Sequence, residues 1–138
     1  MKLTMAKAIL FVFIIANLFQ PFAQGCGGFE IEKYKMVVVN SLPKNSSPLK
    51  LHCASGDDDL GYHNLTVGQT FHWSFCQSFL DNTLYFCHFW WGKKQVAFDV
   101  FNPHLKSATH VSVWAARTDG IYHSEEYLVS SQKKYKAW

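Results

Sequence analysis

Apolar and polar residues take turns along most of this chain, and that alternation limits the fold more than any other feature. In "QTFHWSFC", Phe71, Trp73 and Phe75 fall on one side, with His72 and Ser74 on the other. A period of two is that of a strand with one buried face. "QVAFDVF" sets Val96, Phe98 and Val100 against Ala97, Asp99 and Phe101, and "LKLHCAS" alternates until Gly56. "TLYFCHFWW" is so dense in rings that at least one face must be buried. "YKMVVVN", "HVSVWAA" and "GIYHS" complete the strand-like segments, separated by turns such as "SLPKNSSP" and "RTDG". The basic tail "SSQKKYKAW" reads as a frayed strand or a disordered end, and "SEEYLVSSQKKYK" is the one weak helical candidate. Short strands at regular spacing predict an all-β fold, a small antiparallel β-sandwich of about 7–8 strands. Phe, Tyr and Trp make up 17% of the chain. At roughly 150–250 Å² buried per ring, they can fill the core of a small domain.

The N-terminus sets the compartment. Lys2 and Lys7 flank the start of an apolar run, "AILFVFIIANLF", followed by "QPFAQG" with small residues at Ala23 and Gly25. This is the pattern of a secretory signal peptide. The expected organisation is a signal peptide over 1–25 and one secreted domain over 26–138. The apolar run is short for a membrane span, so no stable membrane insertion is expected after cleavage. Lys2 and Lys7 leave with the signal, so eleven basic residues face ten acidic ones in the mature domain. A nearly neutral domain has little electrostatic attraction for nucleic acid. Cys26, Cys53, Cys76 and Cys87 all lie beyond the cleavage point. An even count in an oxidising compartment predicts two disulfides, with three possible pairings. No C-x-x-C pair supports a zinc site. Asn45 and Asn64 open N-x-S/T sequons and are the glycosylation candidates.

"LHCASGDDDLGYHNLTVGQTFHWSF", then "TLYFCHFWWGKKQVAFDVF", then "VWAARTDGIY" form an ordered series. Over Tyr34 to Tyr122 it resembles the plant self-incompatibility proteins and their S-protein homologues. The resemblance implies a small secreted protein with a disulfide-linked β-sandwich fold. It also implies an extracellular ligand recognised by a cell-surface receptor, as for the stigma-secreted members. One departure stands out. The family carries two cysteines just upstream of the Trp that matches Trp114, whereas this chain has "SATHVSVW" there, with Ser112 in one of those places. Cys53 and Cys87 keep family positions, and Cys26 and Cys76 are extra. If Asp81 and Asn82 form a two-residue hairpin turn, Cys76 faces Cys87 within disulfide reach. That leaves Cys26 for Cys53.

The stretch "LHCASGDDDLGYH" gathers a cysteine, two histidines and three aspartates. An EF-hand needs alternating ligands and a closing Glu, and the stretch has neither. A catalytic centre needs a nucleophile beside an oriented base, yet an oxidised Cys53 is no nucleophile. Gly56 and Gly61 flank the acidic run and permit tight curvature, and Asp side chains hold turns by bonding nearby N–H groups. The run therefore reads as a rigid connection, with Leu60 plugged into the core. No catalytic, metal or cofactor residue is expected. Asp57, Asp58 and Asp59 are candidates for recognition. So are Trp90 and Trp91, which face opposite ways in a strand and can leave one ring exposed. Recognition is expected in the loops "SLPKNSSP", "SGDDDLGYHN", "QSFLDNT" and "NPHLKSAT". A secreted hydrolase would instead bring two histidines into one pocket. A metal- or small-ligand-binding defence protein would be stabilised by its ligand.

Overall fold

A computed structural model describes residues 26, 32–77, 82–104, 109–125 and 131–138. The expected signal peptide, 1–25, lies outside them. The chain divides into two units, Met1–Ile31 and Glu32–Trp138, and the strands described below all belong to the second. They are β1 (Lys33–Asn40), β2 (Leu49–Ser55), β3 (Asp59–Leu65), β4 (Thr70–Cys76), β5 (Tyr85–Trp91), β6 (Lys94–Phe101), β7 (Val111–Arg117), β8 (Gly120–Ser124) and β9 (Lys133–Lys136). One sheet has the order β4-β1-β7-β8-β9 and the other β3-β2-β5-β6. The all-β, two-sheet expectation holds, with nine strands among the described residues rather than seven or eight.

Two elements differ from the sequence reading. Within "SGDDDLGYHN", expected as a connection, Asp59–Leu65 forms a strand. Its alternation is hidden by a bulge. Register passes from His52↔Tyr62 to Ala54↔Asp59, so Leu60 and Gly61 together oppose Cys53. Gly61 takes the left-handed φ of 79° that such an irregularity needs, whereas Gly56 is not left-handed. Leu60 packs against the core as expected. The second difference is that β1 and β7 pair in parallel, from Lys35↔Val111 to Asn40↔Ala116. Parallel strands at the centre of a sheet are covered on both faces and read as continuous apolar runs. Met36, Val37 and Val38 are indeed all buried, as are Val113 to Ala116.

The core lies between the sheets. Tyr34, Met36, Val38, Trp73, Phe75 and Trp114 enter from the first sheet, and Leu49, Leu51, Tyr85, Phe89 and Phe98 from the second. Their rings interlock. Tyr34 lies 4.8 Å from Phe101, Phe75 4.6 Å from Tyr85, and Phe98 5.0 Å from Phe89 and 5.2 Å from Trp114, centroid to centroid. Offset and edge-on arrangements at such distances suit the ring quadrupole.

The disulfide pairing corrects the expectation. Cys53 bonds Cys87, with Cα atoms 4.1 Å apart, so neither Cys76–Cys87 nor Cys26–Cys53 forms. The reason is topological. Cys76 ends β4 in the first sheet, while β5 belongs to the second, so the supposed hairpin between them does not exist. Instead β2 and β5 are antiparallel neighbours, and Cys53 directly opposes Cys87. Cys26 and Cys76 are also disulfide-bonded, and no cysteine is free.

Two further ties fix the sandwich ends. Asn40, 1% exposed, ends β1. Its side-chain amide donates to the Leu65 carbonyl of β3 at 2.9 Å, and its Oδ1 accepts from the Leu42 N–H at 3.0 Å. One side chain thus joins the two sheets. At the other terminus, Gly120 has φ 151° and lies so close to β9 that an added Cβ would stand 2.2 Å from the Lys136 carbonyl oxygen. Only glycine lets β9 dock there. Trp138 completes the docking, its indole N–H donating to the Arg117 carbonyl at 2.6 Å.

Replacing Asn40 by Leu orphans the Leu42 N–H and the Leu65 carbonyl. It should cost about 1–3 kcal/mol, read as a lower urea midpoint with an unchanged m-value. A second expectation concerns pH. His123 packs 4.3 Å from Trp114, and its Nε2 has no hydrogen-bond partner. Burial holds its imidazole below the ordinary value, against a small opposing effect of Glu125. The unfolded chain therefore takes up this proton first, near pH 6.5. Stability should fall as pH drops below that value, until the folded-state imidazole also protonates. His123→Phe should remove up to one proton's share of that slope in urea titrations between about pH 4.5 and 7.5.

Candidate functional site

The outward positions of the second sheet gather what the sequence scattered. Register places His52 opposite His88, Lys50 opposite Trp90, and Ala54 opposite Phe86 across β2 and β5. On the other flank of β2, Tyr62 opposes His52 and Asn64 opposes Lys50. Strands alternate their side chains, so these residues share the face turned away from the core. Their rings stand against one another like books. His88 stacks on Trp90 at 3.9 Å and 8°, and His52 on Tyr62 at 4.5 Å and 15°. Tyr62 and Trp90 are 6.0 Å apart, with the Lys50 ammonium 5.0 Å from the first ring and 5.4 Å from the second. A cation over ring faces is held by their negative quadrupole.

Polar contacts fix the histidines. His52 Nε2 meets Asp59 Oδ1 at 2.7 Å, and His88 Nε2 meets Gln95 Oε1 at 2.9 Å. The Gly61 N–H also donates to Asp59 Oδ1, at 2.9 Å. That backbone bond, and then His52, hold the Asp59 carboxyl below its ordinary value. Asp59 is thus a turn-forming residue that also orients His52.

Asp58 and Asp57 have a different setting. The Asp58 N–H donates to Ser55 Oγ at 3.1 Å, and its carbonyl accepts from the Ser55 N–H at 2.8 Å. The turn is held by the Ser55 side chain, with both aspartates exposed. They border a cleft of about 610 Å³ that also takes in Leu84, Tyr85 and Phe86. Burial raises the Tyr85 hydroxyl above its ordinary value, a Ser55 hydrogen bond opposes this, and the charges of Asp58 and Asp57 add to it.

Trp90 and Trp91 do face opposite ways. Trp90 belongs to the outer row, while Trp91 packs against the core edge, 5.8 Å from Trp138. Asn45 sits on a turn with φ 67°, and Asn64 lies exposed in β3. Of the expected recognition loops, "QSFLDNT" and "NPHLKSAT" fall partly outside the described residues. The other histidines are dispersed. His63 stacks on Phe71, His110 meets Glu32 at 3.4 Å, and His123 lies against Trp114. Among the described residues, no group of three His, Cys, Asp or Glu could hold a metal ion. Also among them, no helix is long and apolar enough to cross a membrane.

Lys50, Tyr62 and His88 were not singled out by sequence reasoning; His52 drew notice only beside Cys53, and Phe86, whose aromatic strand reads as core, instead faces outward at 39% exposure. The signal existed in the alternation for four of them, since Lys50 and His52 flank the inward Leu51 and Phe86 and His88 the inward Cys87, while Tyr62 was masked by the bulge at Leu60 and Gly61. What was missing was the pairing of β2 with β5, which lines the outward positions up.

Comparison with known proteins adds the family context. The model of the family described as "Plant self-incompatibility protein S1" matches residues 35–138. S-protein homolog 6 of Arabidopsis thaliana is 37% identical over 106 residues, covering 74% of this chain and 74% of its own length. S-protein homolog 2 of the same species is 35% identical over 92 residues, covering 62% of this chain and 57% of its own length. The chain thus spans little more than half of that relative. A solved structure described as an SPH (Self-Incompatibility Protein Homologue) protein, from a family of small, highly stable, secreted plant proteins, superposes with a TM-score of 0.63. It does so at 22% identity over 80% of this chain and 98% of its own, which shows the shared fold.

Proposed function

The chain belongs to the plant self-incompatibility protein S1 family, and from that premise we propose that it is a secreted extracellular signalling ligand read by a cell-surface receptor. The basic and apolar start of the sequence supports secretion, as does the oxidation of every cysteine. The observation that carries the reading is the ring-bearing outer face. Tyr62 and Phe86 are 62% and 39% exposed, and Trp90 lies on the same open face, 6.0 Å from Tyr62 and beyond His88 from Phe86 along β5. The solvent face of a sandwich is ordinarily polar. Aromatic side chains held rigid by stacking offer large contact area at little entropic cost, and they dominate binding energy at interfaces. Phe86 borders the cleft beside Asp57 and Asp58. The contact surface therefore carries aromatic rings along β5, at Trp90 and Phe86, with acidic groups at the Phe86 end.

The rival reading, a secreted hydrolase, draws on the adjacent His52 and His88. Each stands on an open face with Nε2 already engaged, by Asp59 and by Gln95. Acid–base catalysis needs such groups aimed at a substrate sheltered from water. This arrangement favours binding over turnover.

Labelled secreted protein should bind plant cell surfaces saturably. Trp90→Ser and Phe86→Ser should each weaken binding by about 2 kcal/mol, roughly thirty-fold in Kd. Their unfolding midpoints should stay close to the parent's, since both residues face outward. Non-saturable binding, or unchanged affinity in both variants, would sink the assignment.

A further inference from the structure

We propose that Asn64 carries an N-linked glycan whose first N-acetylhexosamine lies against the ring of Tyr62. Asn64, Leu65 and Thr66 make a complete sequon. Asn64 is exposed on β3, an edge strand of its sheet, so no further strand crowds its outer flank. Tyr62 precedes it by two residues on that strand. The two side chains therefore leave the same face about 6.6 Å apart, close to the width of one pyranose ring.

Tyr62 is 62% exposed, the most exposed of the large hydrophobic residues described. Stacking on His52 holds its ring upright. The C–H groups on one face of a pyranose carry partial positive charge, which suits the negative face of an aromatic ring. Lys50 lies directly across from Asn64, with its ammonium 5.0 Å from the Tyr62 centroid, where it can donate to sugar hydroxyls. An exposed tyrosine, an acceptor asparagine and a cation thus meet at one edge of the face. Asn45 has none of this. It sits at φ 67° in a turn, and the residue two before it is Pro43. The ring-supported glycan is assigned to Asn64 alone.

The transfer needs a polyprenyl pyrophosphate-linked oligosaccharide as donor. The Asn64 amide nitrogen attacks the anomeric carbon. The C–N bond forms as the anomeric C–O bond to the pyrophosphate breaks, the amide loses one proton, and the intact polyprenyl pyrophosphate leaves. The proposal rests on the secretory route argued above, not on receptor binding.

The full-length chain should be expressed in plant cells, recovered from the medium, and its glycopeptides released by a peptide N-glycosidase in heavy-oxygen water. Most copies should show the isotope label at residue 64, and Asn64→Gln should abolish it. Thermal unfolding before and after glycan removal then tests the stacking. Removal should lower Tm by roughly 2–4 °C in the parent and leave Tyr62→Ser unchanged. A bare Asn64 overturns the proposal wherever the chain is found. Recovery from the medium in that case would show that the secretory route itself stands. An equal Tm loss in the parent and in Tyr62→Ser overturns the ring contact.

Discussion

Two sheets can lie face to face only if alternate side chains from both fill the gap, about 10 Å, between them. In this chain the filling is largely rings. Tyr34, Phe75, Tyr85 and Phe101 form one cluster, and Phe89, Phe98 and Trp114 another. Rings leave few ways to interdigitate, so the inward positions of the strands that carry them are committed. Every other position then faces out, whatever its chemistry. The row of Tyr62, His52, His88 and Trp90 is a consequence of that commitment as much as of any separate design.

The Cys53–Cys87 bond and Asn40 complete the constraint in different ways. The disulfide crosses neighbouring strands of one sheet and closes a sequence separation of 34. A loop of that size removes on the order of 3–4 kcal/mol of unfolded-state freedom in the chain-entropy treatment. Asn40 instead crosses between sheets, using one buried amide as donor and acceptor. Buried amides are costly unless satisfied, so this bridge also specifies which strand ends meet.

How much of this was legible in the sequence depended on whether local pattern or long-range pairing decided the matter. "LKLHCAS" and "GIYHS" coincide with β2 and β8, because alternation and flanking turns are local signals. The strand β3 was hidden, because Leu60 and Gly61 insert a bulge that breaks its period of two. The cysteine pairing was misread for a related reason. Adjacency of "SFC" and "TLYFC" in sequence invited a hairpin, but consecutive strands here switch sheets. Once Cys53 opposes Cys87, the alignment of His52 with His88 and Lys50 with Trp90 follows. The aromatic face was therefore written in the sequence, but readable only through that one crosslink. Trp90 was singled out from the doublet it forms with Trp91, since neighbours in a strand point apart.

The parallel pairing of β1 with β7 has a bearing on how the protein is made. Lys35 must find Val111, so the centre of the larger sheet waits until most of the chain has been synthesised. The hairpins β2–β3 and β5–β6 involve near neighbours and can form earlier. Non-local pairing of this kind slows folding, because loop closure is opposed by chain entropy before any contact rewards it. During that interval the valine-rich β1, Met36 to Val39, can pair with β4 but lacks its second partner strand. For a chain entering a crowded compartment, the vulnerable period is set by the arrival of β7, and the smaller sheet with its crosslink is the platform that is ready first.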